Sequence, residues 1–401
     1  MRLIMFAGKG GTGKTTLAAA TGALTARRGR RTLIMSLDPA HSLRDAFELP
    51  GELLAADGEP TAVADNLWIQ EINLNLALTH YWREVHSYLA LLFNTAGLNE
   101  VVAEEIAVLP GMEEITALLY LNEHVKSGRF DALILDCAPT AESIRFVSLP
   151  TALDWYMQNV FRLERGLAKA ARPLLRHWGE VPLPGEKYFA SLERLHRGLA
   201  GVQELLTDRA QCTVRLVSLA EKLVLRETQR ALTYFCLHGL SVEAVLLNRI
   251  WSGEDGGADP LSPVRQQQQG YLALAERFFA PLPLYQAPRL TDEALGHDRL
   301  LALAARLYGD QDPLAVLYGH QPLAFTRNNG HNEMRLHLPF ASKEGLEIFN
   351  RGNELIIQLG MVRRHVALPA SFPATVPSGA RYEGDYLVVS FPATRRENDA
   401  C

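Results

Sequence analysis

Residues 2–20 read RLIMFAGKGGTGKTTLAAA, and the fold is decided in this stretch. Arg2 to Ala7 is a short apolar run with strand character. A glycine-rich loop follows, and Lys14 to Arg28 has a helical apolar period that stops at Gly29. The phosphate-cradling spacing G-x-x-x-x-G-K-[ST] is met by Gly8, Gly13, Lys14 and Thr15. Glycines at 8, 10, 11 and 13 let the backbone N–H groups of the loop, that of Thr12 included, close around a phosphate, and the helix start adds its positive dipole end. Lys14 is expected to bridge the outer phosphates of a nucleoside triphosphate, and the Thr15 hydroxyl to ligate Mg2+, with Thr16 continuing the same turn. Lys9 is surplus to that template. Its plain reading is a solvated loop lysine.

Buried-strand runs recur at TLIMS (32–36), LWIQEI (67–72), ALILD (132–136), VRLVSL (214–219) and VEAVLLN (242–248), with helical stretches between most of them. Such alternation predicts an α/β fold, a parallel sheet covered on both faces with its ligand at the carboxyl ends of the strands. Two carboxylates fall at strand tips. Asp38, in MSLDPAHSLRDAF, suits orienting the water that attacks a γ-phosphate, and Asp136, closing ALILD, suits holding Mg2+ directly or through water.

Two helical insertions, about 74–128 and 151–208, interrupt the alternation. LNLALTHYWREVHSYLALLF and LDWYMQNVFRL carry more apolar and aromatic residues than one core-facing stripe needs. They fit either a helical subdomain with its own core or a surface for an apolar partner. SGEDGGADPLSP, within 251–263, reads as a polar loop, and a helical stretch near 293–308 ends a first domain over 1–318. Residues 319–331 read as a linker. MRLHLPF, ELIIQLG, RRHVALPA and YLVVSF then alternate with turn residues, which predicts a small all-β domain over 332–392 and a polar tail, 393–401.

A chain of 401 residues that is 48% hydrophobic can bury a large core, and its net charge of -5 offers no basic field for nucleic acid. It has no apolar run of about 18 residues and no signal-like start, so a cytoplasmic protein is expected. Cys137, Cys212, Cys236 and Cys401 are dispersed and form no C-x-x-C pair, which implies neither zinc clip nor disulfide framework.

Taken in order, GKGGTGKTT, DPAHSLRDAF, DCAPT-x-x-S-I-R-F, LVSLAEKLVLRETQR and VLLNRI resemble the arsenite-pump ATPase family, which includes the targeting factors for tail-anchored membrane proteins. The resemblance spans about residues 1–310. It implies a P-loop ATPase using ATP and Mg2+ and working as a homodimer, with the early loop lysine of one subunit, here Lys9, reaching the phosphates of its partner. It also implies that Asp38 lies in a first switch, Asp136 to Thr140 form a second, Glu221 approaches nucleotide across the dimer, Asn248 reads the adenine, and Leu284 to Pro288 pack on the base. Without the resemblance, Glu221 is a helix N-terminal carboxylate and Asn248 a turn residue at a strand end.

The departures are informative. The targeting factors' zinc-binding C-x-x-C has no counterpart in SGEDGGADPLSPVRQQQQ, and the clustered thiolates of arsenite activation are missing. After A-P-T the family's G-H-T is replaced by Ala141, Glu142 and Ser143. The β domain resembles an α-crystallin (small heat-shock protein) domain. Three readings stand: a nucleotide-gated homodimer that binds an apolar client helix, with a membrane receptor as a further partner; the energising subunit of a metalloid efflux pump; and an ATP-gated holdase. A partition or septum-positioning ATPase would need a basic face or an amphipathic tail, which this chain does not show.

Overall fold

The computed structural model describes residues 1–38, 42–49, 58–72, 81–95, 111–175, 183–251, 261–328, 331–370, 372 and 376–392. Its centre is an eight-stranded sheet in the order β3-β4-β2-β5-β1-β6-β7-β8. These strands are β1 (Arg2–Ala7), β2 (Thr32–Ser36), β3 (Thr61–Ala64), β4 (Leu67–Glu71), β5 (Ala132–Asp136), β6 (Cys212–Leu219), β7 (Val242–Ile250) and β8 (Leu284–Pro288). Neighbours run parallel except β3, which lies antiparallel to β4 at one edge. Every residue of β2 and β5 is buried, which is why these strands read as unbroken apolar runs. Side chains still alternate: Leu3 and Met5 join one core, Ile4 and Phe6 the other.

Helix α1 (Lys14–Arg27) follows the loop, and its Leu17 and Leu24 share the second core with Leu300 and Leu303 of the last helix of the α/β part, His297–Tyr308. Because Phe6 and Ser36 both stand opposite Asp136 in register, β1, β2 and β5 end together. That shared edge positions the site. The sequence reading missed β3 and β8, a four-residue half-exposed strand and a short one that ends in proline, both with weak alternation.

Beyond α2 (Ser42–Ala46), the insertions supply α3 (Arg83–Thr95), α4 (Met112–Ser127) and the far end of α5 (Thr140–Tyr156). A π-helical turn (Met157–Phe161), α6 (Arg162–Leu175), α7 (Glu186–Gly198) and α8 (Val202–Thr207) follow. Much of this belongs to the main core: Trp82, Val85, Leu118, Leu121, Leu195, Val202 and Leu205 pack in one cluster with Leu133 and Leu135 of β5. Phe161, Ala168 and Phe189 form a smaller cluster apart from it. Residues 73–80 and 96–110 of the first insertion, most of the 251–263 loop, Pro39 to His41 and the tail lie outside the described residues. Among the described residues no helix is long and apolar enough to cross a membrane.

The C-terminal part is two antiparallel sheets. One has the order β14-β15-β10-β9 and the other β11-β12-β13. Here β9 is Leu323–Asn328, β10 His331–His337, β11 Leu346–Arg351, β12 Glu354–Leu359, β13 Val362–Ala367, β14 Gly379–Glu383 and β15 Tyr386–Phe391. The expected linker 319–331 therefore needs correcting. It contains β9, whose residues pair with β10 from Leu323↔Leu336 to Asn328↔His331, and the hairpin partner lay beyond what local alternation could reveal.

This β sandwich shares its core with the α/β part. Leu237, at the end of α9 (Lys222–Leu237), is buried with Met334, Ile357 and Phe391. Arg364 donates to the Leu237 carbonyl, satisfying a group that the helix end leaves open, and Thr233 Oγ1 donates to the Pro339 carbonyl. Trp155 of α5 lies 5.9 Å from the His365 ring.

Candidate nucleotide site

The loop after β1 is tightly bound to the strand beside it. Gly8 has φ +151°, and a Cβ there would lie 2.2 Å from the Val217 carbonyl oxygen of β6, so only glycine fits. The Lys9 carbonyl gathers the loop, accepting from Thr12 Oγ1 (2.8 Å), the Thr12 N–H (3.4 Å) and Lys14 Nζ (3.5 Å). Lys14 is only 6% exposed. Among the described residues its ammonium has one weak carbonyl contact, which leaves it available for an anion.

Thr15 Oγ1 donates to Asp136 Oδ2 (2.6 Å) and lies 3.2 Å from Ser42 Oγ. Asp136 is fully buried, and burial pushes its carboxyl up to about 7, with the Thr15 hydrogen bond and the Lys14 charge pulling the other way. Among the described residues, Asp136 Oδ1 and Thr140 Oγ1 are buried without a hydrogen-bond partner. An orphaned hard oxygen on the carboxylate that holds the Thr15 hydroxyl fits Mg2+ and does not fit a soft ion. Ser143 donates to the Ala138 carbonyl (2.6 Å) and ties the start of α5 back to the loop after β5.

A cavity of about 730 Å³ opens at this edge of the sheet. Gly10, Gly11, Gly13, Lys14, Thr15, Thr16, Asp38, Asn248 and Pro288 line it, so residues from four separate parts of the sequence converge there. Side chains added at Gly10 or Gly11 would meet nothing within 4 Å, which leaves the loop open to a close-lying ligand. The cavity is also lined by Ser42, Asp45, Arg249 and the segment Arg289 to Leu295, which sequence reasoning missed. The run after PLYQAP carried a usable signal in its polar triad Thr291, Asp292 and Glu293. Arg249 carried none, because its φ of +59° appears only in the fold.

Gly8, Lys9, Thr12 and Glu221 are not in the cavity wall. Gly8 and Thr12 are buried behind it. Glu221 is exposed at the start of α9, its N–H bonded to the Leu219 carbonyl (2.8 Å). Lys9 turns outward: its side chain is 43% exposed and its ammonium lies 3.5 Å from Glu227 Oε2 on α9.

Residues 1–309 match the family model for anion-transporting ATPases. The chain belongs to that family. Residues 329–391 match the HSP20-like domain found in ArsA, in agreement with the two antiparallel sheets. The chain is 41% identical over 393 residues to the "Putative arsenical pump-driving ATPase 1" of Aquifex aeolicus, covering 97% of this chain and 99% of that protein. It is 36% identical over 394 residues to a putative arsenical pump-driving ATPase of Chlorobaculum tepidum, covering 98% and 96% of the two chains. The "ATPase get3" of Aspergillus terreus is 26% identical over 305 residues, 75% of this chain and 88% of its own length.

Proposed function

We propose that this chain is a Mg2+-dependent ATP hydrolase that works as a nucleotide-gated homodimer and binds apolar client segments in the cytoplasm. The observation that carries the dimer is Lys9. One loop lysine is buried in its own site, while the other stands at the surface beside it, where a second copy could receive it. Within one subunit, the loop N–H groups hold the phosphates and Lys14 leaves the Lys9 carbonyl for the β- and γ-oxygens. Thr15 and Asp136, with Ser42 nearby, would hold Mg2+, which supplies charge neutralisation at those oxygens when bound. Asp38, just past the end of β2 and in the cavity wall, orients the attacking water. Glu221, exposed on the same edge, would approach nucleotide in the partner, and Pro288, in the cavity wall, would pack on the base.

The client half rests on exposed leucines in the helical region. Leu163 and Leu167 are 64% and 61% exposed, one turn apart on α6, and Leu91 of α3 is 54% exposed. Dimer closure would bring two such faces together, forming a groove for a helix of about 20 apolar residues. The names of the bacterial relatives favour a second reading, the energising of metalloid export. Against it stand the thiols: Cys137, Cys212 and Cys236 are buried, and burial pushes those of Cys212 and Cys236 up to about 12, so they are poor thiolate ligands.

The test is phosphate release from Mg2+-ATP, together with ATP-dependent binding of a fluorescent apolar helical peptide. Hydrolysis that Lys14→Ala abolishes, and peptide binding that a Leu163→Ser, Leu167→Ser double variant abolishes without loss of hydrolysis, are expected. Turnover that depends on arsenite, with no peptide binding, would replace this reading with the second.

A further inference from the structure

Asn248 lies at the tip of β7, lines the cavity and is 8% exposed. Its side chain is already engaged inside the protein. Nδ2 donates to the Thr12 carbonyl at the apex of the phosphate loop (2.9 Å), and Oδ1 accepts from the Arg249 N–H (2.9 Å). The two partners fix the amide: a carbonyl can only accept and an N–H can only donate, so one orientation alone satisfies both.

The backbone is shaped for this contact. Pairing of β7 with β8 shifts register between Leu247 and Ile250, and Arg249 takes the left-handed conformation, φ +59°. Such a bulge re-aims one side chain out of the ladder, here towards the loop. The loop is fitted to the amide in turn. Gly13 has φ +90°, and a Cβ on it would lie 2.2 Å from Asn248 Nδ2. Asparagine and glycine are thus matched across the seam between β7 and the loop.

We propose that Asn248 is a positioning residue that holds the phosphate loop open in its anion-binding form before any nucleotide arrives, a role that rests on the ATPase reading and differs from adenine recognition. A bond to the Thr12 carbonyl engages that oxygen on the β7 side, so it is held there and is not free to turn towards bound phosphates. An Asn248→Ala variant should therefore weaken binding of every triphosphate by one common factor, roughly two- to ten-fold for a lost hydrogen bond. Asn248→Asp should lose more, because a carboxylate oxygen would then face the Thr12 carbonyl.

The probes are ATP, GTP and inorganic tripolyphosphate, measured by calorimetry on the full chain, with hydrogen exchange of peptides covering residues 8–17 in nucleotide-free protein. The expected result is an unchanged ATP-to-GTP ratio, weaker tripolyphosphate binding and faster loop exchange in Asn248→Ala. A collapsed ATP-to-GTP ratio with tripolyphosphate binding and loop exchange at wild-type levels would overturn the proposal in favour of base reading. Wild-type protein that binds none of the three would defeat the ATPase reading instead, and the exchange comparison would still decide what Asn248 does to the loop.

Discussion

Exchanging subunits between two inactive variants tests the dimer directly. The Lys9 to Glu227 pair is 3.5 Å long with side chains 43% and 29% exposed, a geometry worth about 0.2–1 kcal/mol after solvent screening. Releasing Lys9 therefore costs the subunit little. A cation supplied in trans to a γ-phosphate is worth about 10³–10⁵ in rate, or about 4–7 kcal/mol. Lys9→Ala should thus lower turnover by about a thousand-fold or more while the melting temperature hardly moves, because the pair contributes so little to stability. Asp38→Asn should be equally inactive, through loss of water positioning in its own subunit. Equal amounts of the two, mixed without nucleotide and then given Mg2+-ATP, form mixed dimers in about half of the pairings. Each mixed dimer has one complete site, in the Lys9→Ala subunit, which keeps its own Asp38 and receives Lys9 from its partner. Phosphate release should recover to about one quarter of the wild-type rate. A mixture no more active than its parents would refute the trans role, and so would full turnover by Lys9→Ala alone.

Three further outcomes follow from the geometry. Gly8→Ala forces a Cβ to within 2.2 Å of the Val217 carbonyl, so the loop must move; calorimetry should show nucleotide affinity lost while the far-UV spectrum stays native. Arg215 and Glu243 are both fully buried and joined by a 2.7 Å ion pair, so Arg215→Ala should cost about 3 kcal/mol in denaturant melts, the low end for a broken buried pair because Arg2 still holds the other Glu243 oxygen at 3.0 Å. The seam with the β domain should be acid-labile. Burial and Arg364 push His238 down to about 3, burial, His337 and Arg209 push His320 down to about 4, and burial lowers His337 against the pull of Asp385. These histidines are neutral in the fold and take up protons when unfolded, so the unfolded chain binds more protons below the ordinary value of 6.5. Stability should be full above that pH and fall as the pH drops towards 4. Melts at pH 5.0 and 7.5 would show this, and equal midpoints would contradict it.

The site was legible where one residue type at one position is required by local chemistry. Gly13, Lys14 and Thr15 need only their spacing, and Asp136 needs only to follow four apolar residues. Trp82, Leu118 and Leu195 were harder. Their segments look like insertions, yet they join one core with Leu133 and Leu135 of β5, and no local period says which surface an apolar helix will cover. The hairpin partner of β10 was missed for the same reason, since a strand is stabilised by a neighbour and not by its own residues.

By itself the sequence determined that a glycine-rich loop sits between a buried strand and a helix, that one carboxylate ends a further strand and another falls just past one, and that a β domain follows. Those features are local, set by backbone freedom at glycine, by periodicity and by charge. Only the tertiary structure decided that Thr15 meets Asp136, that Lys14 is turned inward and Lys9 outward to Glu227, and that Asn248 grips the loop and not open space. Each of these joins residues far apart in the chain. Their contacts exist because sheet order and register bring strand tips to one edge, and neither is written in any single segment.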